Sequence, residues 1–376
     1  MNGRTACIGA NCFNYKEGGG HFWVYLSWAF GLRALGWEVV WLELVRPTVD
    51  VAENLRRLDS LKRNLARAGL DCQVALYPLR APELAPELAA AVRPLEYAQQ
   101  ADVLIDFVYG TPEHVVRGFR RSALVDIDPG LLQIWIAEGQ ISVAPHDVYF
   151  SIAEGVYARN GKVPECGIDW QPTAPCVALS RWPVVQSAPS APFTTISHWY
   201  GSEWVTTADE SYCNDKRTAF QPFLDVPRRT RQPLELAIYL AGDAEERAEL
   251  ESRGWRVRES VEVSRTPEAY QRYIQDSRGE FSCAKPSCAK LGTAWISDRT
   301  LCYLASGKPA VVQHTGPSRY LPDAAGLFRF HTVEEAARYV DYAAEHYEEQ
   351  SRLARALAEE HFDAPKVVSK LLERAL

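Results

Sequence analysis

The chain has 376 residues, too many for one ordinary domain and suited to two of about 150 to 200 each. Its 47% hydrophobic and 24% charged residues are the balance of a globular protein and exclude a disordered or fibrous one. A net charge of -7 opposes broad attraction to phosphate backbones, so no nucleic-acid partner is expected.

In chain order, the opening Met1-Asn2-Gly3-Arg4 leads into a short apolar strand over 6–10 and lacks the pattern of a secretory leader, so a cytoplasmic protein is expected. The run 22–35 (FWVYLSWAFGLRAL) is too short, and too interrupted by Arg33, to span a bilayer, and reads as a buried helix. Gly36 ends that helix and 38–44 (EVVWLEL) is a second strand, which completes a βαβ unit. Strand-like runs follow at 72–79, 102–108, 123–127 and 148–152, separated by helix-length stretches, the rhythm of a doubly wound parallel sheet.

Between 164 and 192 the patterning fades, and Pro172, Pro175, Pro183, Pro189 and Pro192 mark an interdomain linker. A second cycle of strands is expected at 193–197, 234–240, 255–258, 279–283, 309–313 and 326–330. The tail from Thr332 has helical spacing, with a break at Pro365. The expected domains are 1–185 and 193–376, with the C-terminal helices strapping back onto the first. Nine cysteines, an odd number without paired spacing, fit a reducing compartment. Cys283, Cys288 and Cys302 lack the further ligands of a metal or cluster site, so no metal is expected.

Two constellations carry possible chemistry. Glu17-Gly18-Gly19-Gly20-His21 lies between the first strand and the buried helix, where glycines let backbone approach a ligand and helix amides attract an anion. It lacks the dinucleotide spacing, and an ordinary strand-to-helix turn explains it as well. In the second half, Lys285 follows the strand GEFSC, and Ser297-Asp298-Arg299 opens a helix before Gly307-Lys308-Pro309. Ser297 is a good N-cap and Asp298 suits the first turn, but Arg299 opposes the macrodipole unless an anion, such as a diphosphate, accompanies it. Thr315-Gly316 closes the next strand on the same sheet edge.

These residues carry a resemblance. GEFSCAK, WISDRTLCYLASGKPAVVQHTG and LPDAAGLFRF resemble the donor-binding half of GT-B glycosyltransferases, in which Ser-x-Arg opens a helix that ends in Ala-x-Gly-x-Pro. GGGHFWVYLSWAFGLRALGWEVVWLE looks like the same group's glycine loop, first helix and second strand. The resemblance implies two facing Rossmann-like α/β domains with C-terminal helices. It also implies a nucleotide-sugar co-substrate held mainly by the second domain, a small or medium acceptor at the first, and no cofactor or obligatory metal.

On that basis Gly19, Gly20, Lys285, Ser297, Asp298, Arg299, Thr315 and Gly316 are expected at the donor, and His21 and Asp128 in catalysis. Inverting relatives use a histidine after the glycine loop as base, and imidazole titrates where a hydroxyl proton must be removed. Asp106, Asp126 and Asp128 lie near strand ends, where ligand sites collect, although Asp128-Pro129-Gly130 is also a turn sequence. Trp199, Tyr200 and Trp204 suit stacking on a base or sugar, or core packing. Lys216 and Arg217 suit the diphosphate, or a solvated helix face. Many retaining members hold the ribose with a glutamate where this chain has Cys302. A nucleotide-sugar epimerase of the same architecture and an inactive nucleotide-binding scaffold stand as alternatives.

Overall fold

Apolar runs buried on both faces build the sheets of this computed structural model, which describes residues 3–15, 18–46, 50–79, 83–158, 161–206 and 210–376. The first sheet contains β1 (Thr5–Ala10), β2 (Glu38–Val45), β3 (Gln73–Pro78), β4 (Val103–Asp106), β5 (Ser122–Asp126), β6 (Val148–Ser151) and β7 (Trp170–Pro172). Its order is β3-β2-β1-β4-β5-β6-β7, all parallel, with Ile8 of β1 opposite Trp41 of β2 and Ile105 of β4.

β8 (Phe193–His198) starts the second cycle, after which β9 (Trp204–Thr206) and β10 (Ser211–Cys213) form an antiparallel pair outside the main sheet. β11 (Leu234–Tyr239), β12 (Arg256–Glu259), β13 (Gly279–Ser282), β14 (Ala310–Gln313) and β15 (Leu327–Phe330) complete a parallel sheet of order β12-β11-β8-β13-β14-β15. Both sheets reverse direction beside their first strand, which places a topological switch point at β1/β4 and another at β8/β13.

The stretch expected to be linker contains β7, whose proline is tolerated on an edge strand, and Val177, which bonds back to Phe362 and Ala364. Three helices end the chain, Val333–Glu345, Tyr347–His361 and Ala364–Ala375, with Pro365 in the first turn of the last. That last helix packs on the first helix, Gly19–Ala34; Arg121 Nε also donates to the Ala375 carbonyl at 3.0 Å. Gly31 permits the close approach, since a Cβ there would lie 2.7 Å from Val368 Cγ2 and 2.9 Å from the Ala364 carbonyl oxygen.

On its other flank the first helix meets the second domain. Trp23 Nε1 donates to the Pro267 carbonyl at 2.8 Å and its ring lies against Trp182. Gly19 and Gly20, expected to approach a donor, instead abut helix Pro267–Asp276 and its cap. A Cβ on Gly19 would sit 2.3 Å from the Thr266 carbonyl oxygen, and one on Gly20 2.5 Å from the Tyr270 ring. Alanine favours helix, but backbone cannot yield to it here. Gly19→Ala should therefore lower unfolding stability by about 1–3 kcal/mol. An unchanged melting temperature would show that the domains do not meet this way in solution.

Candidate functional site

Across the cleft between the domains, the turn 128–130 after β5 faces Lys285 and Thr293 after β13, where a Cβ on Gly130 would lie 2.9 Å from Thr293 Cγ2. Two contacts close one side of the cleft: Gly155 N donates to the Thr293 carbonyl at 2.9 Å, and the buried Glu154 accepts from Ser318 Oγ at 2.8 Å and Arg319 N at 3.1 Å.

On the first domain's side, His21 follows the helix-opening glycines and is half-buried between Tyr15 and Tyr25, with ring centroids 4.8 and 5.1 Å away. Its Nε2 lies 3.1 Å from the Asn11 carbonyl oxygen and 3.2 Å from the Tyr25 hydroxyl. A carbonyl only accepts, so Nε2 carries the proton and Nδ1 the lone pair. Burial lowers the His21 pKa, the Asn11 bond opposing it, which favours the neutral ring.

Deeper in the same wall, Asp126 is fully buried at the end of β5. It accepts from Gln133 Nε2 and Ser151 Oγ, both at 2.9 Å, and from Asp128 N at 3.0 Å. Burial pushes it up to about 7 against those donors. Asp128 is half-buried beside the Tyr109 hydroxyl at 3.3 Å; burial raises its pKa and Lys285 opposes the rise. Asp298, across the cleft, is pushed up to about 7 by burial and then by Asp128. Asp106 turns away to His146, 3.4 Å distant in a pair almost wholly buried.

The second domain's wall is cationic. Ser297 caps helix Asp298–Ala305 by accepting from Arg299 N at 3.3 Å. The anion beside Arg299 belongs to the protein itself: Nε meets the fully buried Glu280 of β13 at 2.8 Å, Nη1 donates to the Ile196 carbonyl at 2.9 Å, and Nη2 reaches Ser282 Oγ. Arg299, expected on a diphosphate, is thus held inside the sheet edge. Lys285 pairs with Glu203 at 2.6 Å, and its charge is retained because Glu203 and Asp128 outweigh burial.

Lys216, whose sequence context suits either a diphosphate or a solvated helix face, is neither on a solvated face nor in an ion pair among the described residues. Capped by Asp215 at the head of a short helix, it is only 8% exposed, and its Nζ donates to the Cys283 carbonyl at the end of β13. No carboxylate pairs with it among the described residues. Burial, and next Arg299, push its pKa down to about 7. Neighbouring Arg217 instead pairs with Glu246 at 2.9 Å.

Thr315 lines a small pocket with Ser282, Ala284, Ser297 and Gln313, but its hydroxyl already donates to the Trp295 carbonyl at 2.6 Å. Gly316 is a packing glycine: its φ is 129°, and a Cβ would lie 2.5 Å from the Gly292 carbonyl oxygen. Trp199 belongs to the core, while Trp204 is 62% exposed on β9. All nine cysteines are free, and no metal-holding group of His, Cys, Asp or Glu occurs among the described residues. No described helix is long and apolar enough to cross a membrane. A wide groove lined by Lys62, Leu70, Gln73 and Arg93 lies at the opening end of β3, remote from both switch points.

The raised Asp126 pKa makes a signed prediction. A carboxyl raised in the folded state contributes stability that is full below its ordinary pKa and is lost as pH rises toward about 7. Relative to Asp126→Asn, whatever the constant offset, wild type should therefore lose stability between pH 4 and about 7. Parallel stability curves for the two proteins over that range would contradict the placement of Asp126.

No protein-family profile and no curated protein matches the chain. Among solved structures, Anabaena HepE in complex with UDP and glucose is similar with a TM-score of 0.59 at 10% identity, covering 99% of each chain. Sucrose-phosphate synthase of Thermosynechococcus elongatus gives 0.57 at 11% identity, covering 99% of this chain and 98% of that one. AviGT4, a glycosyltransferase involved in avilamycin A biosynthesis, gives 0.55 at 13% identity, covering 99% and 96%. At these identities the likeness concerns the fold, and with the two switch-point sheets it is decisive on that point. The chain has the GT-B fold, two facing Rossmann-like domains with C-terminal helices.

Proposed function

We propose that the protein is a glycosyltransferase that moves a sugar from a nucleotide diphosphate sugar, with a uridine diphosphate donor the first to test, onto a small or medium acceptor. One observation carries the reading: a buried lysine without a counter-carboxylate among the described residues, Lys216, stands at the β8/β13 switch point beside Lys285 and Arg299. Cations this close repel each other, and a diphosphate between them supplies the missing charge. HepE, solved with UDP and with UDP-glucose, adds support from a protein of the same fold.

In this reading Lys216 and Lys285 hold the diphosphate, with Glu203 displaced from Lys285. Arg299 contributes its field from within the sheet edge. The Ser297 helix terminus and the Thr315-Gly316 turn shape the pocket. Asp128 and Asp298 accept from hydroxyls of the transferred sugar. His21 Nδ1 takes the proton of the acceptor hydroxyl as its oxygen bonds to the anomeric carbon, and the bond from that carbon to the phosphate oxygen breaks. The developing phosphate charge falls on the two lysines, so the reaction needs no divalent metal.

The two walls should fail differently. Lys216→Ala removes a charge-assisted contact of about 1.5–3 kcal/mol and should weaken UDP binding by roughly ten-fold or more in calorimetry. His21→Ala should keep that affinity and lower transfer by about a hundred-fold. Wild-type UDP affinity in Lys216→Ala would remove the donor assignment. Normal transfer by His21→Ala would remove the base.

EDTA should leave the transfer rate unchanged, and a loss restored by added magnesium or manganese would refute the metal-free reading.

A further inference from the structure

Glu43 is the one carboxylate in the buried part of β2, whose other carboxylate, Glu38, is exposed at the strand's start, and its burial is complete. The sheet register sets it opposite Ala10, the last residue of β1, directly beneath the loop that follows. Its Oε1 accepts from Cys12 N at 2.9 Å and from Trp41 Nε1 at 2.8 Å, and its Oε2 accepts from Phe13 N at 3.1 Å. An apolar residue there would leave two buried loop amides without acceptors. Asn14 adds a second tether, donating to Asn11 Oδ1 at 3.1 Å and to the Leu44 carbonyl at 3.2 Å.

The same loop holds His21. Asn11 supplies the carbonyl that fixes the Nε2 proton, and Tyr15 supplies the ring against the imidazole. A shift of this loop would free His21 to exchange tautomers, because the lone pair stays on Nδ1 only while Nε2–H has the Asn11 carbonyl as acceptor. We propose that Glu43 is a positioning residue: it holds the loop Asn11–Tyr15 so that His21 presents Nδ1, and not Nε2, as its basic atom. The proposal rests on the reading of His21 as the base.

Glu43→Gln tests it while nearly conserving volume. One acceptor is replaced by an NH₂ group, which sets a donor against a loop amide or the indole N–H. In protein labelled with ¹⁵N-histidine, with the His21 signals assigned from the His21→Ala spectrum, wild type should show the Nε2–H tautomer. Glu43→Gln should move the His21 signals toward the mixed-tautomer position, with UDP affinity unchanged and transfer lowered by about ten-fold or more. Asn14→Ala loosens the same loop without touching the buried carboxylate, and should move the signals in the same direction should Glu43→Gln not fold. Wild-type His21 signals in both variants, with only a lowered melting temperature, would overturn the proposal. If His21→Ala retains full transfer, the base reading fails, while the ¹⁵N signals still decide whether Glu43 sets the tautomer.

Discussion

The structure depends on how positive charge is balanced at the end of β13. Arg299 opens a helix, where the macrodipole disfavours it, and stays because Glu280 reaches it from the neighbouring strand. Removing one partner of a pair so buried costs about 3–5 kcal/mol, so this ion pair works first as a structural clamp between helix and sheet. With Glu280 engaged there and Glu203 on Lys285, Lys216 is left with a backbone carbonyl alone among the described residues. The fold thus gathers three basic side chains, one of them without a carboxylate partner among the described residues, where a doubly wound sheet offers a ligand its crevice.

Holding that crevice together falls to glycines and to the C-terminal helix. Gly19 and Gly20 let the first helix touch Thr266 and Tyr270, Gly155 lets the short helix Glu154–Tyr157 meet Thr293, and Gly31 admits the last helix. These are close contacts of backbone with its neighbours. Between them lie His21, Asp128, Lys285 and Asp298, all half-buried or partly exposed. Rigid margins around a polar centre let groups from different domains keep fixed positions relative to one another, which general acid-base chemistry requires.

Much of the architecture was legible because strands buried on both faces read as short apolar runs between helical stretches. β7 was not, since Trp170-Gln171-Pro172 sits among prolines and pairs only as an edge. Neither was the β9–β10 pair, which is short and half polar. At the site, sequence identified residue types but not what faces them. Glycines signal a close approach without saying whether a ligand or a helix makes it, and here helix Pro267–Asp276 and its cap do. The anion required by Arg299 was foreseen, but Glu280 stands 19 residues earlier, in a strand. Lys216 follows a helix cap, like any solvated lysine, and only tertiary packing buries it. Glu43 did leave a signal, a carboxylate set between Leu42 and Leu44 in an apolar run.

The central claim, that a nucleoside diphosphate binds at the β8/β13 switch point, is tested most directly by hydrogen–deuterium exchange with and without saturating UDP. The account predicts slowed exchange in residues 197–203, 213–218 and 283–300, together with the cleft-facing loop 11–15. Exchange unchanged in these segments, or slowed only along the outer groove around residues 62–73 and 90–93, would contradict it.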